Sequence, residues 1–428
     1  MIKLNLLPFY FFPLSLIAGN LMINLNIFFI IILIFIKSLR DKSYNWIENK
    51  YFKILIIIYF YLVINSIYNF YLDPSVGKSG IIRSLGFVKF IFLALSLTIL
   101  IKDKKELEKI LYIWTFLIAF VICDVYFEFI FNRNIIGFKS LDHTRIVSFF
   151  HNELVVGAYL LTFSYTIYSF QLTKIKKRYK HFFVFLIILI PITIMITGER
   201  SNFIKSVIIF FLIIFTLNNS YLPVKKFKIV LLCMISIFII LLTNKNIFLK
   251  QAEFFQRILI VKENDNFYDK LQNIKYFHHY ESAIKIFKDN KILGVGNKNY
   301  RIKCNDKKYQ TKFHLNCSTH PHQIHFEILS EQGIVGYLLL LTLFIVFFRD
   351  FIKNKNQDNI LYNSINIYLI IFLIPVLPSG SIFSTFNGSL FWLIFSFAIF
   401  FNQKKSNFKF FTQNNVKRYI KNNTQRNY

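Results

Sequence analysis

Charged residues are scarce in this sequence. Asp, Glu, Lys and Arg make up 17% of its 428 residues, whereas about 25% is usual in soluble domains. Uncharged apolar runs recur instead, such as "NIFFIIILIFI" (26–36), "FLIILIPITIMI" (185–196) and "GYLLLLTLFIVFF" (336–348). A bilayer core takes roughly 20 such residues per helix, and these runs lack the alternation of a membrane β-strand. The sequence therefore predicts an all-α polytopic membrane protein.

The apolar segments divide into twelve predicted transmembrane spans. No small-residue cleavage site follows the first of them, and hydrophobic spans continue at once, so we do not expect a signal peptide. The spans lie near residues 6–20, 21–37, 52–72, 81–101, 108–131, 152–172, 182–197, 202–218, 229–243, 326–348, 361–378 and 389–402.

Acidic residues are scarcer than basic ones, and the formal net charge is +29. The placement of this charge argues against nucleic-acid binding, because short basic loops such as "KDKKELEK" and "KIKKRYK" occur at every second connection between spans and so fall on one side of the membrane. Positive charge in short loops marks the cytoplasmic face. We expect both termini there, with a basic tail over residues 403–428 that can contact anionic lipid.

One loop departs from this pattern. Residues 244–325, between spans nine and ten, hold 15 Lys and Arg against 7 Asp and Glu and are predicted to lie on the periplasmic side. Loops longer than about 60 residues escape the charge rule, and a basic outer loop suits an anionic ligand. Internal repeats and Gly/Ser linkers are lacking, so residues 1–428 are expected to form a single membrane domain with this loop inserted.

Cysteine is also rare, with four in the chain. Cys123 and Cys233 fall in predicted spans, whereas Cys304 and Cys317 share the outer loop. An oxidising periplasm permits a disulfide there, so we expect Cys304 and Cys317 to be bonded.

Arginine is the less common cation, with 11 residues against 40 lysines. A guanidinium presents a planar fork that binds phosphate oxygens through two bonds, whereas an ammonium is a point charge. Arg200, in the short break "ITGERSNF" between two spans, is either in functional use or paired with Glu199, because a charge at that depth is otherwise costly. Six arginines fall on the predicted outer side: Arg83, Arg133, Arg145, Arg200, Arg257 and Arg301.

Two further segments carry polar residues toward the outer face. Asp124 and Glu128 lie four residues apart and so share one helix face, where they either position an acceptor hydroxyl or neutralise an arginine. The stretch "RIVSFFHNELVVGAYL" (145–160) places Arg145 and His151 before a span, as a site or as an interfacial anchor.

The glycines of "ILGVGNKNYR" (292–301) form only a Gly-x-Gly pair. This is a weak nucleotide-binding signal, because the third glycine and a strand–helix context are missing. Arg301, just after the turn, is the better candidate.

Histidines gather in "CSTHPHQIHFEILSEQGIVG", at the start of an apolar span. A zinc site would use Cys317, His320, His322 and His325, but Cys317 has an expected disulfide partner and Pro321 stiffens the link between two of the histidines. Imidazole is neutral near pH 7 and can accept a proton from a sugar hydroxyl. Acid–base chemistry and simple helix capping are the other interpretations.

This stretch resembles the O-antigen ligase family, whose members resemble the O-antigen polymerases. The family motif is a histidine, a small polar or amide residue, nine residues, and Gly-x-x-Gly. Here it corresponds to His322, Gln323, residues 324–332, Gly333 and Gly336. "TGERSNF", "RIVSFFHNELVVGAYL" and "ILGVGNKNYR" look like further family segments, whereas "HHY" (278–280) departs from relatives that carry an arginine there.

The resemblance implies a GT-C-like, metal-independent glycosyltransferase without a cofactor. Its donor would be a glycan on undecaprenyl diphosphate in the outer leaflet of the bacterial inner membrane, and its acceptor a lipid A core sugar. His322 and Arg200 are the implied catalytic residues, and Gly333 and Gly336 let the helix pack closely against a neighbour. The expected substrate-binding residues are Arg145, Arg257 or Arg301, Asp124, Glu199 and His320.

Other functions stay open at this point. An O-antigen polymerase would transfer the glycan to a second lipid-linked repeat, and a protein O-oligosaccharyltransferase would transfer it to a protein. A transporter of an anionic lipid-linked glycan is the rival from another class. Transporters place charges near the bilayer midplane, whereas the polar residues here cluster at one face, which favours an enzyme.

Overall fold

The computed structural model describes residues 4–140, 145–151, 153–174, 177–259, 274–311, 316–354, 359–375 and 377–403. Within these residues the regular secondary structure is helical. The α-helices are α1 (Leu7–Ile17), α2 (Asn20–Arg40), α3 (Lys50–Leu72), α4 (Ser79–Leu85), α5 (Val88–Leu100), α6 (Lys104–Phe131), α7 (Val156–Leu172), α8 (Lys180–Ile196), α9 (Arg200–Thr216), α10 (Lys226–Thr243), α11 (Lys245–Leu259), α12 (Lys275–Asp289), α13 (Tyr300–Lys303), α14 (Ile324–Asn354), α15 (Ile360–Phe372) and α16 (Thr385–Gln403).

Seven helices in the described residues are long and apolar enough to cross a membrane. They are α2, α3, the joined pair α4 and α5, α6, α10, α14 and α16. Shorter apolar helices are α1, α8 and α15, and α7 and α9 have 17 residues each. A helix therefore lies within each predicted span, and the prediction of a helical polytopic membrane protein is confirmed. The number of membrane crossings stays a prediction.

The bundle is built around α16. About 89% of the residues in its most apolar 18-residue stretch are buried. It packs against α5, α15 and α7. Helix α10 lies at the periphery, where only 11% of the residues in its apolar stretch are buried, and it exposes large side chains such as Phe238. Such an apolar outer surface suits contact with lipid rather than water.

A short turn connects α8 to α9. Gly198 has φ +77°, a left-handed conformation that glycine adopts without steric cost. The chain therefore reverses within the few residues after Ile196, and Arg200 becomes the first residue of α9. The sequence prediction that Arg200 stands in a break between two apolar segments is correct.

The described parts of the segment between α10 and α14 fold onto the end of the bundle. Helix α12 packs along α14, and the disulfide between Cys304 and Cys317 joins the parts that follow α12, with a Cα–Cα distance of 5.3 Å. The predicted disulfide is therefore present. A small separate core lies beneath it, made of Ala283, Ile286, Val295, Tyr300, Cys304 and Tyr309.

Helix α14 is broken at Gly333, which has φ 63° and ψ −167°. The loop after α12 enters this break, so that the N–H of Ile334 donates to the Lys291 carbonyl at 2.8 Å. A Cβ on Gly333 would lie 2.2 Å from the Ile292 carbonyl oxygen. The role expected for Gly333 is thus different here: it ends one helix rather than packing two together. Gly336 does lie against a neighbouring helix, since its Cβ would meet the Tyr61 ring at 2.8 Å.

The helix break gives the motif spacing a physical meaning. Gln323 caps the first part of α14, because its Oε1 accepts from the N–H groups of His325 at 2.7 Å and Phe326 at 3.1 Å. The nine spacer residues (324–332) are then the short helix between this cap and Gly333. A helix of this length spans about 13 Å, so the motif fixes how far His322 stands from the break.

Candidate functional site

A cavity of about 280 Å³ lies between α7, α9, α15, α16 and the segment before α14. It brings together side chains from widely separated parts of the chain. The residues that line it are Arg145, Leu154, Val155, Ala158, Leu161, Glu199, Arg200, Ser201, Asn202, Lys205, Tyr276, His320, His322, Tyr368, Phe372, Pro378, Ser379, Gly380, Asn387 and Leu390. Five of the residues singled out from the sequence are among them: Arg145, Glu199, Arg200, His320 and His322.

Two arginines line the cavity from neighbouring backbone segments. Arg200 opens α9, and Arg145 is held nearby because the N–H of Ile146 lies 3.4 Å from the Thr197 carbonyl. The first turn of α9 also faces the cavity through Ser201 and Asn202. A helix N-terminus favours negative charge, so this wall suits an anion.

Lys205 adds a third cation that the sequence analysis did not identify. Its side chain lines the cavity although the residue is only 3% exposed. Its Nζ donates to the Pro378 carbonyl, and it lies 5.6 Å from the centre of the Phe372 ring. In the sequence it stands inside an apolar segment, five residues after Arg200, and a charge within that segment was the available signal.

Glu199 connects α9 to the start of α7. Its Oε1 accepts from the Gly157 N–H at 2.6 Å and its Oε2 accepts from Asn202 Nδ2 at 2.6 Å. Burial raises the pKa of Glu199 to about 7, and these hydrogen bonds and the charge of Arg145 act in the opposite direction. The contacts described for this carboxylate therefore cap a helix; a pair with Arg200 was one of the two alternatives that the sequence left open.

Asp124 does not line the cavity. It is fully buried and accepts from the Ile135 N–H at 2.8 Å and from the Ser148 hydroxyl. Glu128 accepts from the N–H groups of Val147 at 3.2 Å and Ser148 at 2.6 Å. Both carboxylates bind the backbone or side chain of residues 147 and 148, just after Arg145. They therefore help to fix the position of Arg145 in the cavity wall.

The two histidines of the cavity belong to a larger ring cluster. The ring centre of His322 lies 4.3 Å from that of His320, 5.2 Å from His279 and 5.4 Å from Tyr276. Burial, followed by the neighbouring rings of His320 and His279, lowers the pKa of His322 to about 3. Burial and the charge of Lys298 lower the pKa of His320 to about 3. Both imidazoles are therefore neutral near pH 7 and have an acceptor nitrogen.

The backbone at His322 is unusual. Its φ is 59°, a region that few residues other than glycine occupy, and such strain concentrates at functional sites. The strain is held in place from both sides, since the Ser379 N–H donates to the His322 carbonyl at 2.7 Å and the Ile324 N–H donates to Ser379 Oγ at 3.0 Å.

A buried ionic network supports the histidine segment from behind. Lys298 Nζ contacts Glu327 Oε1 at 3.2 Å and Ser381 Oγ at 2.8 Å. Glu331 accepts from the N–H groups of Lys298 at 2.8 Å and Tyr300 at 3.2 Å. Breaking one partner of a buried pair is costly, so this network ties the loop, α14 and the segment before α16 into one unit. The sequence analysis did not identify it.

The remaining candidates lie elsewhere. Arg301 is exposed on α13 and is not among the residues that line the cavity. The side chain of Arg257 lies outside the described residues. His325 is not among the residues that line the cavity, and its Nε2 lies 2.8 Å from the Leu373 carbonyl and its Nδ1 3.2 Å from the Tyr337 hydroxyl.

The zinc alternative loses two of its four proposed ligands. The Cys317 sulfur is in the disulfide, and both ring nitrogens of His325 have other partners. In the part of the chain that the structure describes, no group of three or more His, Cys, Asp and Glu side chains is placed to hold a metal ion.

Residues 183–341 match the family model described as O-Antigen ligase. The match runs from α8 into α14 and includes Arg200, His322 and Gly333. The resemblance to the O-antigen ligase family is thereby confirmed. No curated protein matches the chain at a significant level.

Proposed function

We propose that this protein is a membrane glycosyltransferase that transfers a glycan from undecaprenyl diphosphate to a sugar of the lipid A core. The observation that carries the proposal is one cavity lined by Arg145, Arg200, Lys205 and His322. These side chains come from three separate regions of the sequence, and they provide both an anion-binding wall and a neutral base.

The cationic wall suits the diphosphate of the donor. Three cations, Arg145, Arg200 and Lys205, line the cavity against the single carboxyl group of Glu199. The N-terminus of α9 adds backbone N–H groups to the same wall. Apolar side chains such as Leu161 and Phe372 line the cavity as well and suit the lipid end of such a donor.

His322 is the proposed base. Its imidazole accepts the proton of the acceptor hydroxyl, and the hydroxyl oxygen then forms a bond to the anomeric carbon of the donor glycan. The bond from that carbon to the phosphate oxygen breaks, and the electron pair leaves with the diphosphate. Guanidinium groups that hold the diphosphate stabilise this growing negative charge, so Arg200 and Arg145 would act mainly on the leaving group.

Purified protein in detergent or nanodiscs tests this function directly. It is incubated with undecaprenyl-diphosphate glycan and lipid A core, and the product is separated by mass. We expect transfer that persists in EDTA, because the proposed mechanism uses no metal and no cofactor. Loss of transfer in EDTA, restored by a divalent ion, would contradict the metal-independent mechanism. Absence of transfer under all conditions would contradict the proposed glycosyltransferase activity.

The acceptor distinguishes the proposed ligase from its relatives. A deletion strain that lacks even a single glycan repeat on the lipid A core supports the ligase. A strain that keeps the single repeat but loses long chains indicates an O-antigen polymerase instead. Loss of glycan from proteins alone indicates a protein O-oligosaccharyltransferase.

The proposed reaction requires a periplasmic site in the bacterial inner membrane. We propose a GT-C-like single membrane domain with twelve crossings, both termini cytoplasmic, and residues 244–325 outside. The basic tail from residue 404 onward lies outside the described residues. Reporter fusions at positions 290 and 410 test the topology, and periplasmic activity of the fusion at 410 would contradict it.

A further inference from the structure

His279 belongs to the ring cluster around His322 and has no part in the proposed function. It lies on α12 and is fully buried, with a ring centre 5.2 Å from that of His322. It is not among the residues that line the cavity, whereas His322 is. His279 therefore stands behind His322 as seen from the cavity, where a substrate would not contact it.

One hydrogen bond determines the tautomer of His279. Its Nδ1 lies 2.9 Å from the Asn316 carbonyl oxygen. A carbonyl only accepts, so Nδ1 carries the proton, and the Nε2 of the neutral ring keeps its lone pair. Burial lowers the pKa of His279, and this favours the same neutral form.

The second ring nitrogen of His279 is buried and has no hydrogen-bond partner among the described residues. An unpartnered buried acceptor is costly, and its persistence calls for an explanation. The rings of His322 and Tyr276 lie beside it, with the Tyr276 and His279 ring centres 6.4 Å apart. Of these two neighbours, only His322 belongs to the histidine motif.

From this geometry we infer that His279 is a positioning residue for His322. This inference rests on the proposed function. The Nε2 of His279 accepts the N–H of His322, which fixes the His322 tautomer and leaves its other nitrogen free to accept the proton of the acceptor hydroxyl. After that transfer the proton stays on His322, and His279 stabilises the imidazolium by the same hydrogen bond. Hydrogen bonds of this kind often tighten only when substrate is bound.

His320 is the other ring next to His322, and its Nε2 is also buried without a hydrogen-bond partner among the described residues, but it fits this role less well. Its Nδ1 lies 3.0 Å from the Thr319 hydroxyl, and a hydroxyl can either donate or accept, so the tautomer of His320 is not determined. His320 also lines the cavity, which places it toward the substrate. His279 is the ring whose tautomer is set by a fixed acceptor.

Asn316 links this arrangement to the rest of the loop. Its carbonyl also accepts from the Tyr300 hydroxyl, and its Nδ2 donates to the Cys304 carbonyl at 2.6 Å. The disulfide between Cys304 and Cys317 closes the same segment. The Asn316 carbonyl that orients His279 is therefore held in place by two hydrogen bonds and by the neighbouring disulfide.

Two substitutions at residue 279 separate the proposed role from a structural one. His279→Asn keeps a donor near the Nδ1 position for Asn316 but removes the Nε2 acceptor. His279→Gln keeps an acceptor near the Nε2 position but removes the donor to Asn316. If His279 positions His322, we expect His279→Asn to lower kcat by about tenfold or more with an unchanged donor KM. This loss is smaller than the roughly 10²–10⁴-fold cost of removing a general base.

His279→Gln is expected to retain most of kcat, while both variants remain folded by size-exclusion chromatography. A wild-type kcat in His279→Asn, or a loss in His279→Gln alone, would overturn the inference. Wild type and His322→Ala are measured in the same assay. Transfer by wild type that is lost in His322→Ala supports the proposed function independently of residue 279. Absence of transfer by wild type would overturn the proposed function and this inference together.

Discussion

The carboxylate of Glu199 accepts a hydrogen bond from the Gly157 N–H at 2.6 Å. This contact joins the first turn of α7 to the turn that carries Arg200. A Cβ on Gly157 would lie 2.9 Å from the Glu199 carboxyl carbon, so the Glu199 side chain lies as close to this backbone as a glycine permits. Glu199 is therefore in the cavity wall because it caps a helix.

Replacement of Glu199 by glutamine tests this role. A glutamine keeps one oxygen for the Gly157 N–H, so we expect His322-dependent transfer to continue within about tenfold of the wild-type rate. If Glu199 were the general base, the loss would be about 10²–10⁴-fold. The measurement is the transfer rate of Glu199→Gln with lipid-linked donor, and a loss in that larger range would reassign the base to Glu199.

Gly333→Ala is expected to destabilise the protein strongly. A Cβ there would lie 2.2 Å from the Ile292 carbonyl oxygen, at a φ of +63°. Gly137→Ala is the matched control, because Gly137 has φ +99° but nothing within 4 Å of its Cβ position. Left-handed strain alone costs about 1–2 kcal/mol, and a backbone clash adds to it. Thermal unfolding in detergent should show a clearly larger loss for Gly333→Ala, and equal losses would contradict the break at Gly333.

The helices and part of the cavity lining follow from the sequence, whereas the rest of the candidate site depends on the fold. The apolar runs predict a helix in each span because hydrophobic length is a local property. Arg145, Arg200, His320 and His322 stood out as polar residues at the predicted outer face, and they do line one cavity.

Lys205, His279 and the pair of Lys298 with Glu327 did not stand out in the same way. Their importance depends on contacts between segments distant in the sequence, such as the 3.2 Å contact from Lys298 to Glu327. Gly333 was expected, together with Gly336, to let the helix pack closely against a neighbour. The Gly-x-x-Gly spacing does not show that the backbone of Ile292 inserts beside Gly333. The twelve crossings, the topology and the acceptor stay predictions.

Arg200→Lys separates charge from geometry. Lysine keeps the positive charge but loses the planar fork that grips phosphate through two bonds. We expect transfer to fall on the order of 10²-fold, similar to the removal of one donor that stabilises a transition-state oxyanion. Arg301→Lys is the control, because Arg301 is exposed and not among the residues that line the cavity. Full activity of Arg200→Lys would show that bidentate phosphate binding is not its role.

The half-buried ring of His320 predicts how stability depends on pH. The folded protein holds the pKa of His320 at about 3, against 6.5 for an unperturbed histidine. Below pH 6.5 the unfolded chain binds more protons than the folded one. The contribution of His320 to the free energy of unfolding is therefore fully present above pH 6.5 and is lost as the pH falls toward the folded pKa.

Thermal unfolding between about pH 7 and about pH 5 checks this dependence. We expect the Tm of wild type to fall more steeply over this range than the Tm of His320→Gln. His181→Gln, which replaces an exposed histidine, serves as the control and should behave like wild type. Identical slopes for wild type and His320→Gln would contradict a lowered pKa of His320 in the folded protein.

His322 is proposed to accept the proton of the acceptor hydroxyl in the cavity that holds the donor diphosphate. The most direct test is the transfer rate of purified His322→Ala with undecaprenyl-diphosphate glycan, measured beside His325→Ala, whose ring nitrogens bond to Leu373 and Tyr337 instead. We predict that His322→Ala binds donor like wild type but transfers about 10²–10⁴-fold more slowly, whereas His325→Ala stays much closer to wild type. Near wild-type transfer by His322→Ala would contradict the account.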